Sequence, residues 1–138
     1  MSESSPTEHR GILVQRAESV PRAADFQRYV PREPGGAGSL NYGTDGEDQL
    51  SSVKWLKERH MSSLGVPLSA GLFHMEPSEF AFGFVAEETM VFLTGAVEIT
   101  VEGEEVKLRA GDMAFFPAGL QTHWRVAEPT TLFFTLLD

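Results

Sequence analysis

The side chains best suited to move protons or hold a metal ion are the His74-x-Glu76 pair, Glu88 and His123. His74 and Glu76 stand two residues apart, so in a strand they share a face and present an imidazole beside a carboxylate. Glu88 opens the run Glu88-Thr-Met-Val-Phe-Leu-Thr-Gly95, and His123 follows the turn Pro117-Ala-Gly119. Such groups serve general acid–base catalysis. Converging from different strands, His74, Glu88 and His123 would also suit zinc, iron, manganese or nickel. His9 and His60 lie in segments that give them no clear placement. The chain has no cysteine, which excludes thiolate nucleophiles, Cys-ligated zinc and disulfides.

These groups need a scaffold, and 138 residues suffice for one domain with a real core. Ten Phe and an apolar fraction of 41% mark a folding chain rather than a disordered one. The formal net charge of -9, with no basic stripe, argues against nucleic acid and anionic membranes as partners. The first ten residues are polar and show no secretory signal. No apolar run approaches the roughly 20 residues that span a bilayer, so a cytoplasmic protein is expected.

Met1 to Arg10 reads as a disordered tail. Gly11-Ile-Leu-Val-Gln-Arg suits an edge strand ended by Val20-Pro21, and Asp25 to Tyr29 suits a helical turn before Pro31. Pro34-Gly-Gly-Ala-Gly-Ser39 reads as a flexible loop without the strand, helix and Lys-Ser/Thr of a phosphate-binding loop. Between Glu47 and Met61 helical and strand patterns compete, and Val53 beside Trp55 favours a strand. From Leu68 onward the pattern is nearly continuous β. Phe80, Phe82 and Phe84 alternate with Ala81, Gly83 and Val85, and Val97, Ile99 and Val101 alternate with Glu98, Thr100 and Glu102. Gly95 and Gly111 stand where hairpins need positive φ, and Pro117 ends a strand. Short strands with frequent turns indicate a sandwich or barrel.

Glu88 with six residues to Gly95, then Gly111 with five residues to Pro117-x-Gly119, resembles the two motifs of the cupin superfamily. Gly71 to Pro77, Phe80 to Gly95 and Gly111 to Val126, with Trp124-Arg-Val126 after the PxG turn, resemble more closely its EutQ and ureidoglycine-aminohydrolase-like branch, and the likeness covers roughly half the chain. The resemblance implies an all-β protein, a single cupin jelly-roll barrel with an N-terminal extension. Residues 1–10 would be the tail, 11–67 the strands and loops packed on the barrel, and 68–138 the barrel core. It also implies a small-molecule site at the barrel mouth and a homodimer, with the N-terminal strand and the Val53-Trp55 segment as interface material.

A cupin usually holds a metal on an HxH pair before the Glu and a third His after the PxG turn. Here Phe82, Phe84 and Thr122 stand at those places, and Glu88 alone is kept. The matching cupin position turns Glu88 inward against the Phe side chains, where desolvation would raise its pKa into the range of a general acid or base. A structural alternative pairs Glu88 with Arg109 or Arg125 at the rim. Strict alternation from position 122 turns His123 outward and Trp124 inward, whereas a bulge after the loop would reverse them.

The expected function is a metal-independent small-molecule enzyme of isomerase, dehydratase/lyase, cyclase or hydrolase type. Its catalytic candidates are Glu88, His123 and His74, and its substrate-binding candidates are Phe82, Phe84, Met90, Phe115, Gln121 and Trp124. No cofactor is expected. Tyr42 and Trp55 would join the pocket if the N-terminal segment folds over the mouth. Two alternatives stand beside this: a non-catalytic binding or sensor module for an apolar ligand, and a metal-dependent cupin with His74, Glu88 and His123 as relocated ligands.

Overall fold

The computed structural model describes residues 6–14, 26–28 and 50–137, and every regular element among them is a strand. The first two, β1 (Thr7–His9) and β2 (Ile12–Val14), pair antiparallel as a separate ribbon. Their turn places Arg10 and Gly11 at φ 52° and 87°, the left-handed backbone that a tight hairpin demands. The strand over Thr7–His9 replaces the end of the expected disordered tail. A second correction concerns Gln27–Arg28, which forms a strand, β3, rather than part of a helical turn. It owes that conformation to pairing with Val53 and Ser52, a tertiary contact with no local sequence signal. The expected loop at residues 34–39 and Tyr42 lie outside the described residues.

Nine further strands follow: β4 (Ser51–Met61), β5 (Pro67–Met75), β6 (Ser78–Gly83), β7 (Glu87–Thr94), β8 (Ala96–Val101), β9 (Glu104–Arg109), β10 (Met113–Phe116), β11 (Gln121–Val126) and β12 (Thr130–Leu137). They form a six-stranded sheet in the order β10-β7-β12-β5-β4-β3 and a four-stranded sheet in the order β6-β11-β8-β9. All pairings are antiparallel. Non-consecutive neighbours such as β12-β5 and β6-β11 give the jelly-roll crossings that place two sheets face to face.

The core lies between the sheets. Val53, Phe92 and Leu132 from one sheet and Val97 and Ile99 from the other are almost completely buried, each contributing about 1.5–3 kcal/mol relative to exposure. The segment 51–61 is a strand, as Val53 and Trp55 suggested. Its inner face belongs to the core, since Val53 is buried and Trp55 packs against the core cluster.

Turn chemistry fixes the register. Glu102 and Gly103, at φ 49° and 82°, close the β8-β9 hairpin. Gly95 carries a double constraint. Its φ is 85°, and a Cβ there would stand 2.6 Å from the carbonyl oxygen of Pro129 and 2.7 Å from Cα of Thr130. Only glycine lets the end of β7 approach the start of β12 this closely.

Candidate functional site

A cavity opens between the sheets, and the period of two decides which side chains line it. On β4 these are Val53 and Trp55, on β5 Phe73 and Met75, and on β6 Phe80 and Phe82. On β7 the inward set begins with Glu88 and Met90. Trp124 of β11, with Leu132, Phe134 and Leu136 of β12, closes the wall. Counted with its mouth to solvent the cavity encloses about 510 Å³, of which about 60 Å³ can take the centre of a water molecule.

Among the described residues Glu88 is the only ionisable group in this lining. The residue as a whole is half-buried, but its carboxyl is surrounded by apolar side chains, and desolvation pushes its pKa from 4.5 up to about 8. Among the described residues no hydrogen bond or ion pair is made by that carboxyl. The rim pairing is not formed either. Arg125 donates from Nε (2.8 Å) and Nη2 to Glu98, on the outer face of the four-stranded sheet. The backbone N–H of Arg109 donates to Asp112 at 2.9 Å.

Trp124 owes its pose to Thr122, two residues earlier on the same face. The indole Nε1–H donates to the Thr122 hydroxyl at 2.8 Å, and that hydroxyl donates to the carbonyl oxygen of Phe82 at 2.7 Å. Thr122 is buried, so its hydroxyl satisfies a polar group that would otherwise be stranded. Phe80 stacks on the indole with ring centroids 5.7 Å apart and 16° between planes. The sequence marked Thr122 only as a missing ligand. The signal for its real role was its i, i+2 relation to Trp124.

Both histidines face away from the cavity. Strand β11 alternates exposed and buried residues without a bulge, pairing evenly with β6 and β8. His123 therefore points outward, 3.4 Å from Oε2 of Glu79. His74 lies between Phe73 and Met75, on the opposite face of β5 from those two lining residues. Its Nδ1 is 2.8 Å from the Thr131 hydroxyl and its Nε2 2.5 Å from Glu76. His74, Glu88 and His123 are thus not brought together, because strand parity separates them. Among the described residues no cluster of three metal-ligating side chains occurs. The cupin ligand positions do not fit a metal here: Phe82 and Phe84 have no donor atom, and the Thr122 hydroxyl is engaged with Trp124 and Phe82.

Of the expected binding residues, Phe82, Met90 and Trp124 line the cavity, and Trp55 joins them from the N-terminal half. Phe84 instead stacks on Phe116 inside the core, with centroids 4.5 Å apart and 6° between planes. Phe115 is 59% exposed on the outer face of β10. Gln121 is also exposed, with its amide against Gly83, its register partner on β6. The sequence reading did not single out Val53, Met75, Leu132, Phe134 and Leu136 as lining residues.

The EutQ-like cupin domain matches residues 63–131 of this sequence. The fold is similar to that of the EutQ protein of Clostridium difficile, with a TM-score of 0.69 at 16% identity over 99% of this chain and 95% of that one. A putative ethanolamine utilization protein Q from Salmonella typhimurium LT2 gives the same TM-score at 20% identity, over 96% of this chain and 92% of that one. A cupin-2 domain containing protein from Shewanella frigidimarina NCIMB 400 is similar at a TM-score of 0.53 and 18% identity, over 67% of this chain and 85% of that one. At these identities the likeness speaks for the fold alone. No curated protein matches the sequence.

Proposed function

Because the chain belongs to the EutQ-like cupin family, we propose that its cavity is the site of a small-molecule proton-transfer enzyme with Glu88 as general acid and base. One observation carries this reading: an ionisable carboxyl in an apolar cavity, without a partner among the described residues and with a pKa raised to about 8. Structural carboxylates are paired or solvated, whereas a group tuned toward neutrality suits proton transfer near pH 7. Below pH 8 Glu88 of the free protein holds its proton, so toward a neutral substrate it donates first, to an oxygen or leaving group. The carboxylate so formed takes a proton back from a neighbouring atom. One group can thus complete an isomerisation or a dehydration, and the apolar walls keep bulk water from competing.

A second reading, a binding module without turnover, draws support from the same lining, because among the described residues no second ionisable side chain stands opposite Glu88. Incubation in D2O with a panel of small keto, hydroxy and amino compounds separates the two. Deuterium incorporation or loss of water, read by mass spectrometry, is expected for at least one compound and should fall about 10²–10⁴-fold in Glu88→Gln. A ligand that binds and is recovered unlabelled and unchanged would favour the binding module. Turnover unaffected in Glu88→Gln would refute the role of Glu88.

A further inference from the structure

We propose that the ligand of this cavity is a small alkylammonium cation, its alkyl groups lying on the aromatic walls and its charge beside Glu88. The inference rests on the reading above that the cavity is the ligand site, and it names the chemical class that fits. Six aromatic residues among those described line the space: Trp55, Phe73, Phe80, Phe82, Trp124 and Phe134. Apart from Glu88 the remainder of the lining among the described residues is aliphatic or thioether.

Exclusion narrows the ligand. Among the described residues an anion would meet a carboxyl and no cationic side chain in the lining, and with the indole N–H of Trp124 donated to Thr122 only that of Trp55 is left as an N–H donor from a lining side chain. A sugar or other polyol would bury hydroxyls with almost nothing to bond them, which is costly in an apolar site. A plain hydrocarbon would leave the Glu88 carboxyl buried and unsatisfied, a state that native proteins avoid. A compact cation clothed in alkyl groups meets each condition. Aromatic faces attract it through their quadrupoles, its surface suits apolar walls, and its charge compensates the carboxylate. The net charge of -9 also favours the approach of cations over anions.

Such a ligand must meet Glu88 as the carboxylate. Since burial holds the proton on Glu88 up to about pH 8, cation binding should release it. Affinity should then rise about tenfold per pH unit from pH 6 toward pH 8. In catalysis, a bound ammonium substrate would cast Glu88 as base before acid.

The test uses tetramethylammonium, which stays charged at every pH, and tert-butanol as a neutral probe of similar bulk. Methyl NMR of ¹³C-methionine-labelled protein reads both, because Met75 and Met90 line the cavity while Met113 is exposed on β10. At pH 8 tetramethylammonium should bind at least tenfold more tightly than tert-butanol, shifting Met75 and Met90 and sparing Met113. Glu88→Gln should abolish that preference. Phe82→Leu should weaken the cation severalfold while hardly changing tert-butanol, and it decides the matter if Glu88→Gln does not fold. Equal or tighter binding of tert-butanol overturns the inference and leaves the proton-transfer reading standing. So does a cation preference that survives in Glu88→Gln. Silence of Met75 and Met90 toward both probes, or an equal response to sodium chloride, overturns the inference together with the ligand site it rests on.

Discussion

Replacing Glu88 by Gln should stabilise the ligand-free protein, and by an amount that depends on pH. The folded state binds the Glu88 proton more tightly than the unfolded chain does, with a pKa of about 8 against 4.5. As pH rises above 4.5 the unfolded chain gives up that proton and is favoured, and the folded state loses stability until pH passes about 8. The interval from 4.5 to 8 covers 3.5 pH units. At about 1.36 kcal/mol for each, the ceiling is about 5 kcal/mol. Glu88 is half-buried, and solvent reaching it through the mouth reduces this to about 2–3 kcal/mol. Gln has nearly the same shape and no charge, so it escapes the penalty. Urea melts of both proteins at pH 4, 6 and 8 should give similar stabilities at pH 4 and a widening advantage for Glu88→Gln by pH 8. A difference that stays flat with pH, or a variant less stable at pH 8, would refute the reasoning. The sign is opposite to that of a paired carboxylate, whose removal weakens a fold at neutral pH. A residue kept at a cost of this kind is better explained by function than by folding.

Thr122→Val keeps shape but strands the indole N–H of Trp124, and should cost about 1–3 kcal/mol. A changed tryptophan fluorescence maximum would accompany the loss, and a variant unaltered in both measurements would contradict the assigned role of the hydroxyl. Gly95→Ala should be more damaging, at about 3 kcal/mol or more, since it combines a positive φ with a clash against the backbone of Pro129 and Thr130. A melting temperature within a degree or two of the wild type would show that β7 and β12 need not approach so closely.

Much of the fold was legible because turn residues and alternation agree from Leu68 onward. Gly95, Gly111 and Pro117 mark turns or strand ends wherever they appear, and the Phe80-Phe82 and Val97-Ile99 alternations fall on the buried face. The site was legible only in part, for three reasons. Strand parity after Pro117 cannot be read without knowing whether β11 bulges, so the facing of His123 remained open until pairing with β6 and β8 decided it. In β12 the run Leu132-Phe133-Phe134 is apolar on both faces, which hides the inward set. In β4 irregular pairing between Trp55 and Lys57 and again before His60 breaks the alternation that would have identified the strand outright. Glu88 was the exception, because the matching cupin position implied its inward facing beside the Phe side chains.

The unbroken alternation of β11 leaves another chemistry one residue away. Deleting a single position from the loop between Pro117 and Gln121 would move His123 into the slot of Thr122 and Arg125 into that of Trp124. An imidazole and a guanidinium would then face Glu88 across the same walls, at the loss of the stacked indole. An insertion or deletion is usually judged by the backbone it disturbs. In this loop it would exchange an oily chamber with one acid for a polar one, at the cost of turning the core residues Trp124 and Val126 out to solvent.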